Sequence, residues 1–327
     1  MRNLCLSREN CLPRRVGLTL GVSSRPGLQW SVANCLLCTM LLCMTLLCTM
    51  TGCGQSRLPA PTPDSEAAIA LRASLASDSA GGAGGSEVVS TGTGWGTLTG
   101  RFVFVGSPPA AKQLIVDKDT AVCTAEGRKL FDQSLQVDEA TGGLANVVVF
   151  ARKVSRVKER EMPEEPLVFD QKVCEFLTPV FAARVGQPID VRNSDPIGHN
   201  TNVSGTSFNQ LIPAGEGTLF TPARETGMPT MVTCNIHPWM KAYAVFREDG
   251  YVAVTAADGS FTIPDLPAGE EVELQVWHER STGPNGALAA DMPELDWSSK
   301  GRFTVTLEAD GTTDIGEVQI PASAVGS

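Results

Sequence analysis

Residues 232–243 read VTCNIHPWMKAY. Cys234, His237 and Met240 stand three residues apart, in a 327-residue chain with only 3 histidines. Thiolate, imidazole and thioether are the donors that suit a redox-active transition metal. Two residues between successive donors make a tight turn, which lets three side chains point into one small pocket. Each residue alone has an ordinary reading. Methionine fills cores, and Met228 and Met231 are read so. An exported cysteine is usually paired. A lone histidine is usually a surface or satisfied residue, which is the reading of His278 in WHE.

Upstream, residues 180–202 read VFAARVGQPIDVRNSDPIGHNTN. One strand ends at the Gly186 turn, the next ends in Asn193-x-Asp195, and His199 follows with Asn200 directly after it. Together with Cys234-x-x-His237-x-x-Met240 this resembles the type 1 (blue) copper cupredoxins of the amicyanin and plastocyanin kind. The likeness spans about eighty residues, 174–247, and the short spacing with Pro238 is most like amicyanin. The resemblance implies a Greek-key β-sandwich and one copper ion held by His199, Cys234, His237 and Met240. A trigonal plane of two imidazoles and a thiolate with a weak axial thioether is the type 1 site. It also implies that Asn200 ties the two ligand loops together from outside the metal sphere. Pro238 and Trp239 would form an apolar collar round an exposed edge of His237, where electrons enter or leave in that family.

A second resemblance lies in residues 252–279, VAVTAADGSFTIPDLPAGEEVELQVWHE. A strand, the Asp258-Gly259 turn, a phenylalanine strand and Leu266-Pro-Ala-Gly269 are similar to the carboxypeptidase-regulatory or transthyretin-like family. The opening strands of such a domain do not directly precede Val252, but GTLTGRFVFVG (96–106) and LANVVVFA (144–151) fit them. The expected organisation is therefore a transthyretin-like sandwich split over 95–157 and 250–321, with a cupredoxin domain at 158–249 between its parts. In a tandem order the early strands would instead belong to the middle domain. Either way the fold class is all-β: short runs rich in Val, Thr and Phe are punctuated by Gly, Pro, Asn and Asp.

The N-terminus is of another kind. Five arginines precede an almost wholly apolar stretch at 33–50, and MTGC ends at Cys53. A basic region, an apolar core and a small-residue exit make a secretory signal. The exit resembles a bacterial lipobox, with Cys53 as the lipidated residue, so 1–53 is read as a signal and lipoprotein segment. An uncleaved anchor helix is the alternative, since about 20 apolar residues span a bilayer. Residues 54–94 are rich in Ser, Ala, Gly and Pro and read as a flexible linker. The expected location is extracytoplasmic, periplasm or cell surface, with the chain held to the membrane by the lipid or the anchor.

Charge and cysteines narrow the function further. Removing residues 1–52 takes away five Arg and one Glu, leaving 21 basic and 35 acidic residues and a formal charge near −14. Such a chain repels nucleic acid. Of ten cysteines, Cys123, Cys174 and Cys234 fall in the globular part. If Cys234 binds metal, Cys123 and Cys174 are left as a disulfide pair, with two free buried thiols the alternative. After the copper site only His278 remains, so the second histidine cluster of multicopper oxidases and reductases cannot be built and no enzyme is expected. The leading expectation is a tethered electron-transfer protein with a redox partner protein. The competing ones are a binding or adhesion module with structural or no copper, and a periplasmic copper carrier.

Overall fold

The computed structural model describes residues 92–326. The expected signal segment, Cys53 and nearly all of the linker lie outside the described residues. Within them no helix is long and apolar enough to cross a membrane. In chain order the first strands are β1 (Trp95–Val105) and β2 (Val148–Lys153), with the four-residue helix α1 (Thr120–Cys123) between them. Then come β3 (Leu167–Lys172), β4 (Glu175–Phe176), β5 (Val180–Arg184), β6 (Ile189–Asn193) and β7 (His199–Val203). They are followed by β8 (Asn209–Ile212), β9 (Gly217–Phe220), β10 (Thr230–Thr233) and β11 (Lys241–Arg247). The last are β12 (Val252–Val254), β13 (Ser260–Pro267), β14 (Glu271–Trp277), β15 (Arg302–Thr306) and β16 (Thr312–Pro321).

The strands form four sheets, and the all-β expectation holds. Two sheets, β13-β1-β16 and β12-β2-β14-β15, combine strands from both ends of the described chain. Every second residue of β1 points inward, from Gly96 through Leu98 and Phe102 to Phe104, as the two-residue period of a half-buried strand requires. These side chains meet Phe261, Leu274, Phe303 and Val318 in one core. The turn at Asp258-Gly259 closes against β1. Gly259 sits at φ +83°, and a Cβ there would lie 2.1 Å from the Phe102 carbonyl oxygen, so only glycine fits.

The other two sheets, β5-β11-β10-β7-β8 and β4-β3-β6-β9, enclose a second core around Phe169, Phe181, Ile189, Val232 and Phe246. A third, smaller cluster joins the pairs of sheets. Val149 and Ala151 of β2 point into the first core, while Val148 and Phe150 meet Val180, Val245 and Trp277. That explains the unbroken apolar run VVVFA (147–151): a strand buried on both faces does not alternate. Arg247 pins the same junction. Its Nη2 donates to the Ala151 carbonyl at 2.8 Å and to Asp249 at 2.9 Å, and its guanidinium lies 5.2 Å from the Phe150 ring centre.

One long excursion departs from the expected arrangement. Between β1 and β2 the chain leaves the first sandwich, and Leu114, Val116, Val122, Cys123 and Leu130 pack in the core of the second. These residues fall inside 95–157 but line the other sandwich. Met231 also differs from its reading as core filler: it is 40% exposed on β10.

Candidate metal centre

β7 and the loop between β10 and β11 carry the candidate ligands. β10 pairs antiparallel with β7, Val232 opposite Val203 and Thr233 opposite Asn202. Continuing that register by two residues lays Thr201 and Asn200 opposite Cys234 and Asn235, with His199 next along β7. The loop closes on itself: the Met240 N–H donates to the His237 carbonyl at 2.9 Å, and the Cys234 N–H to the Met240 carbonyl at 3.3 Å.

Here His199, Cys234 and His237 come together, with one donor atom from each lying within 4.8 Å of the others. The Nδ1 atoms of the two rings are 2.9 Å apart, and Cys234 Sγ lies 3.8 Å from His237 Nδ1. Both imidazoles are fully buried and Cys234 is 2% exposed. Met240 is buried in the same core as Cys234. A cysteine and two inward-facing imidazole nitrogens in one dry pocket form a donor set that fits copper.

Each ring is held from behind. His199 Nε2 is 2.7 Å from Asp195 Oδ2, and His237 Nε2 is 2.9 Å from Asp119 Oδ2. Carboxylates only accept, so both Nε2 atoms carry a proton and both Nδ1 atoms face inward. Carboxylate-backed histidines of this kind are what fix tautomer and ring orientation at metal sites. Burial alone would lower the pKa of His199, but hydrogen bonds to Asp195 and Cys234, and their charges, raise it to about 9. Burial would raise that of Cys234, but the His199 hydrogen bond and the N–H groups of Asn200, His237 and Ile236 bring it down to about 6. The pocket thus holds a thiolate ready for a metal.

Asn200 bridges β8 and the β10–β11 loop. Its Oδ1 accepts from the Asn235 N–H at 3.1 Å, and its Nδ2 donates to Asn209 Oδ1 at 2.8 Å and to the Gln210 carbonyl at 3.1 Å. Cys123 and Cys174 are joined in a disulfide, leaving Cys234 as the free cysteine among the described residues. His278 is buried far from this cluster in sequence and sheet, on the loop after β14.

The exposed His237 edge is corrected. The ring is wholly buried, and the Asp119 carboxylate occupies the edge that an apolar collar was expected to surround. Trp239 does pack on His237, with ring centres 5.1 Å apart, and its Nε1 donates to the Cys174 carbonyl at 3.0 Å. Trp239 is also one wall of a cavity of about 250 Å³. It is therefore the ring against His237 that an outside molecule can reach. Neither Asp119 nor the pairing of Asp195 with His199 was identified from the sequence. The i,i+4 spacing of Asp195 and His199 was a usable signal; one of two aspartates in VDKDTAVC offered none.

No protein-family model and no curated protein matches the chain. Among solved structures, it is similar to an amicyanin variant in its reduced Cu(I) form at pH 4, with 19% identity, 27% of this chain and 87% of that one covered, and a TM-score of 0.24. Amicyanin from Paracoccus versutus matches at 15% identity over 30% of this chain and 97% of that one, with a TM-score of 0.23. A Cu-containing nitrite reductase from Thermus scotoductus matches at 19% identity over 29% of this chain, with a TM-score of 0.24. Only 25% of that reductase is covered.

Proposed function

We propose that the protein is an exported, membrane-tethered type 1 copper protein that carries single electrons, transforming no substrate and holding one copper ion with His199, Cys234, His237 and Met240. What supports this is the convergence of two inward-facing Nδ1 atoms and a thiolate in one buried pocket. Bound there, copper supplies a couple that gains and loses one electron. The chain's own residues set the site beforehand. Asp195 and Asp119 keep the Nε2 protons on the outer side of each ring, so neither imidazole must change tautomer. The N–H groups of Asn200 and His237 point at Cys234 Sγ from 3.3 and 3.4 Å and steady the thiolate. The burial of all three donors excludes water. A site this fixed keeps reorganisation small when the ion changes charge.

Burial of all three donors favours electron transfer over a copper carrier, which needs an exposed site to hand the ion on. The Cys123–Cys174 disulfide fits an oxidising compartment outside the cytoplasm. The tether is assigned to lipid on Cys53, with an uncleaved helix as the alternative, and the partner to a redox protein rather than nucleic acid. Copper titration followed by voltammetry tests the reading. One equivalent of Cu(II) per chain, an intense visible band and a reversible one-electron wave are expected. A colourless protein holding copper weakly would favour a binding module or a carrier instead.

A further inference from the structure

We propose that Asp119 is a positioning residue of the metal site, and that the Cys123–Cys174 disulfide delivers it there. This rests on the copper reading above but concerns residues outside the four ligands. Asp119 reaches His237 across 118 positions of sequence, a contact that nothing local creates. Its neighbour Lys118 donates through Nζ to the Ile236 carbonyl at 3.1 Å, so two consecutive residues hold the ligand loop at Ile236 and His237.

The clasp is braced by unfavourable backbone. Asp119 sits at φ 47°, and Val173 and Cys174 sit at 61° and 57°. The left-handed region disfavours most residues other than glycine, and a β-branched valine is a rare occupant. Such strain persists only where surrounding contacts over-determine it. The contacts are on both sides of the disulfide. The N–H groups of Val122 and Cys123 in α1 donate to the Asp119 carbonyl at 2.9 Å. Across the S–S bond, the N–H groups of Val173 and Cys174 donate to the Asp195 carboxylate at 2.6 and 2.7 Å. The Cys174 carbonyl receives the Trp239 indole. One brace, covalent from Asp119 to Cys174 and hydrogen-bonded from there to Asp195, therefore joins the two carboxylates that back the two imidazoles, and Cys174 also anchors the ring packed on His237.

The chemistry follows from the charge. A carboxylate behind Nε2–H makes Nδ1 a stronger donor and favours the more highly charged metal ion. A neutral amide in the same place keeps a hydrogen-bond acceptor but loses that preference. The Asp119 side chain is 47% exposed, so replacing it spares the core.

The test uses the full chain with Asp119→Asn, Asp119→Glu, Asp119→Ala and the paired change Cys123→Ala with Cys174→Ala. With copper bound, Asp119→Asn is expected to shift the Cu(I)/Cu(II) ratio at fixed ambient potential about tenfold toward Cu(I), equal to a rise of about 59 mV. The cysteine pair moves it in the same direction with the carboxylate still present, and Asp119→Glu restores it in part. A ratio unchanged within twofold in Asp119→Asn overturns the proposal. A second readout needs no copper. In the metal-free protein the His237 Nε2–H nitrogen-15 signal is expected to exchange with solvent at least tenfold faster in Asp119→Ala; equal exchange also overturns it. A wild type that takes no copper would defeat the copper reading, while the exchange measurement would still decide the part played by Asp119.

Discussion

The Asn200 backbone N–H donates to Cys234 Sγ at 3.3 Å while its side-chain oxygen accepts from the Asn235 N–H. One residue thus aims the thiolate with its main chain and holds the neighbouring loop with its side chain. Asn200→Ala removes only the second function. We expect a folded protein whose copper affinity falls by about 10–100-fold, the range for outer-shell partners, measured by competition with a chelator. Unchanged affinity would show that the β10–β11 loop holds itself.

Arg247 should matter to stability rather than to the metal. It is buried with Asp249 and the Ala151 carbonyl as partners, and it pairs with Glu225 through Nη1. Removing one partner of a buried pair strands the other's charge at a cost of about 3–5 kcal/mol. Arg247→Ala is expected to lower the denaturant midpoint accordingly. A loss below about 1 kcal/mol would mean water reaches Asp249 freely.

His278 provides a pH signature. Burial, aided by the Arg280 cation, lowers its pKa from 6.5 to about 4, and Nδ1 accepts from the Arg280 N–H at 3.2 Å. Because the folded value lies below the unfolded one, the unfolded chain takes up the proton first as pH falls. Stability is therefore undiminished above about 6.5 and declines as pH drops from there toward 4, by roughly 3 kcal/mol when complete. His278→Gln should flatten that part of the profile in denaturation experiments. A variant as pH-sensitive as the wild type between 6.5 and 4 would assign the slope to other groups.

We propose that the two sandwiches are interleaved along the chain, with the β1 and β2 strands completing the sheets of β12 to β16. The pairing of β1 with β13 and β16, and of β2 with β12 and β14, supports this. Limited proteolysis near residue 160 should then leave the two pieces associated under native conditions. Release of a stable, independent 165–327 fragment would count against it.

The ligand loop was legible because three donors within seven residues form a local pattern, β1 and β13 because their apolar periods are strong, and β2 because its apolar run is unbroken. β7 and β8 were harder to see. HNTNV and NQLI carry little apolar alternation, and their places are set by pairing with each other and with β10. Asp119 was invisible for a different reason. Its contact depends on an excursion from one sandwich to the other and on a disulfide 51 residues in span, neither of which leaves a local trace. The buried state of His237 follows from that same excursion. The resemblance could supply the ring but not the carboxylate that covers it.

Copper-loaded protein compared with Cys234→Ser by visible absorption and electron paramagnetic resonance tests the central assignment most directly. The wild type should show an intense thiolate-to-Cu(II) band and a narrow copper hyperfine splitting, with both lost in Cys234→Ser although it remains folded. A wild-type spectrum that the serine variant reproduces would mean that the Cys234 sulfur does not bind the metal.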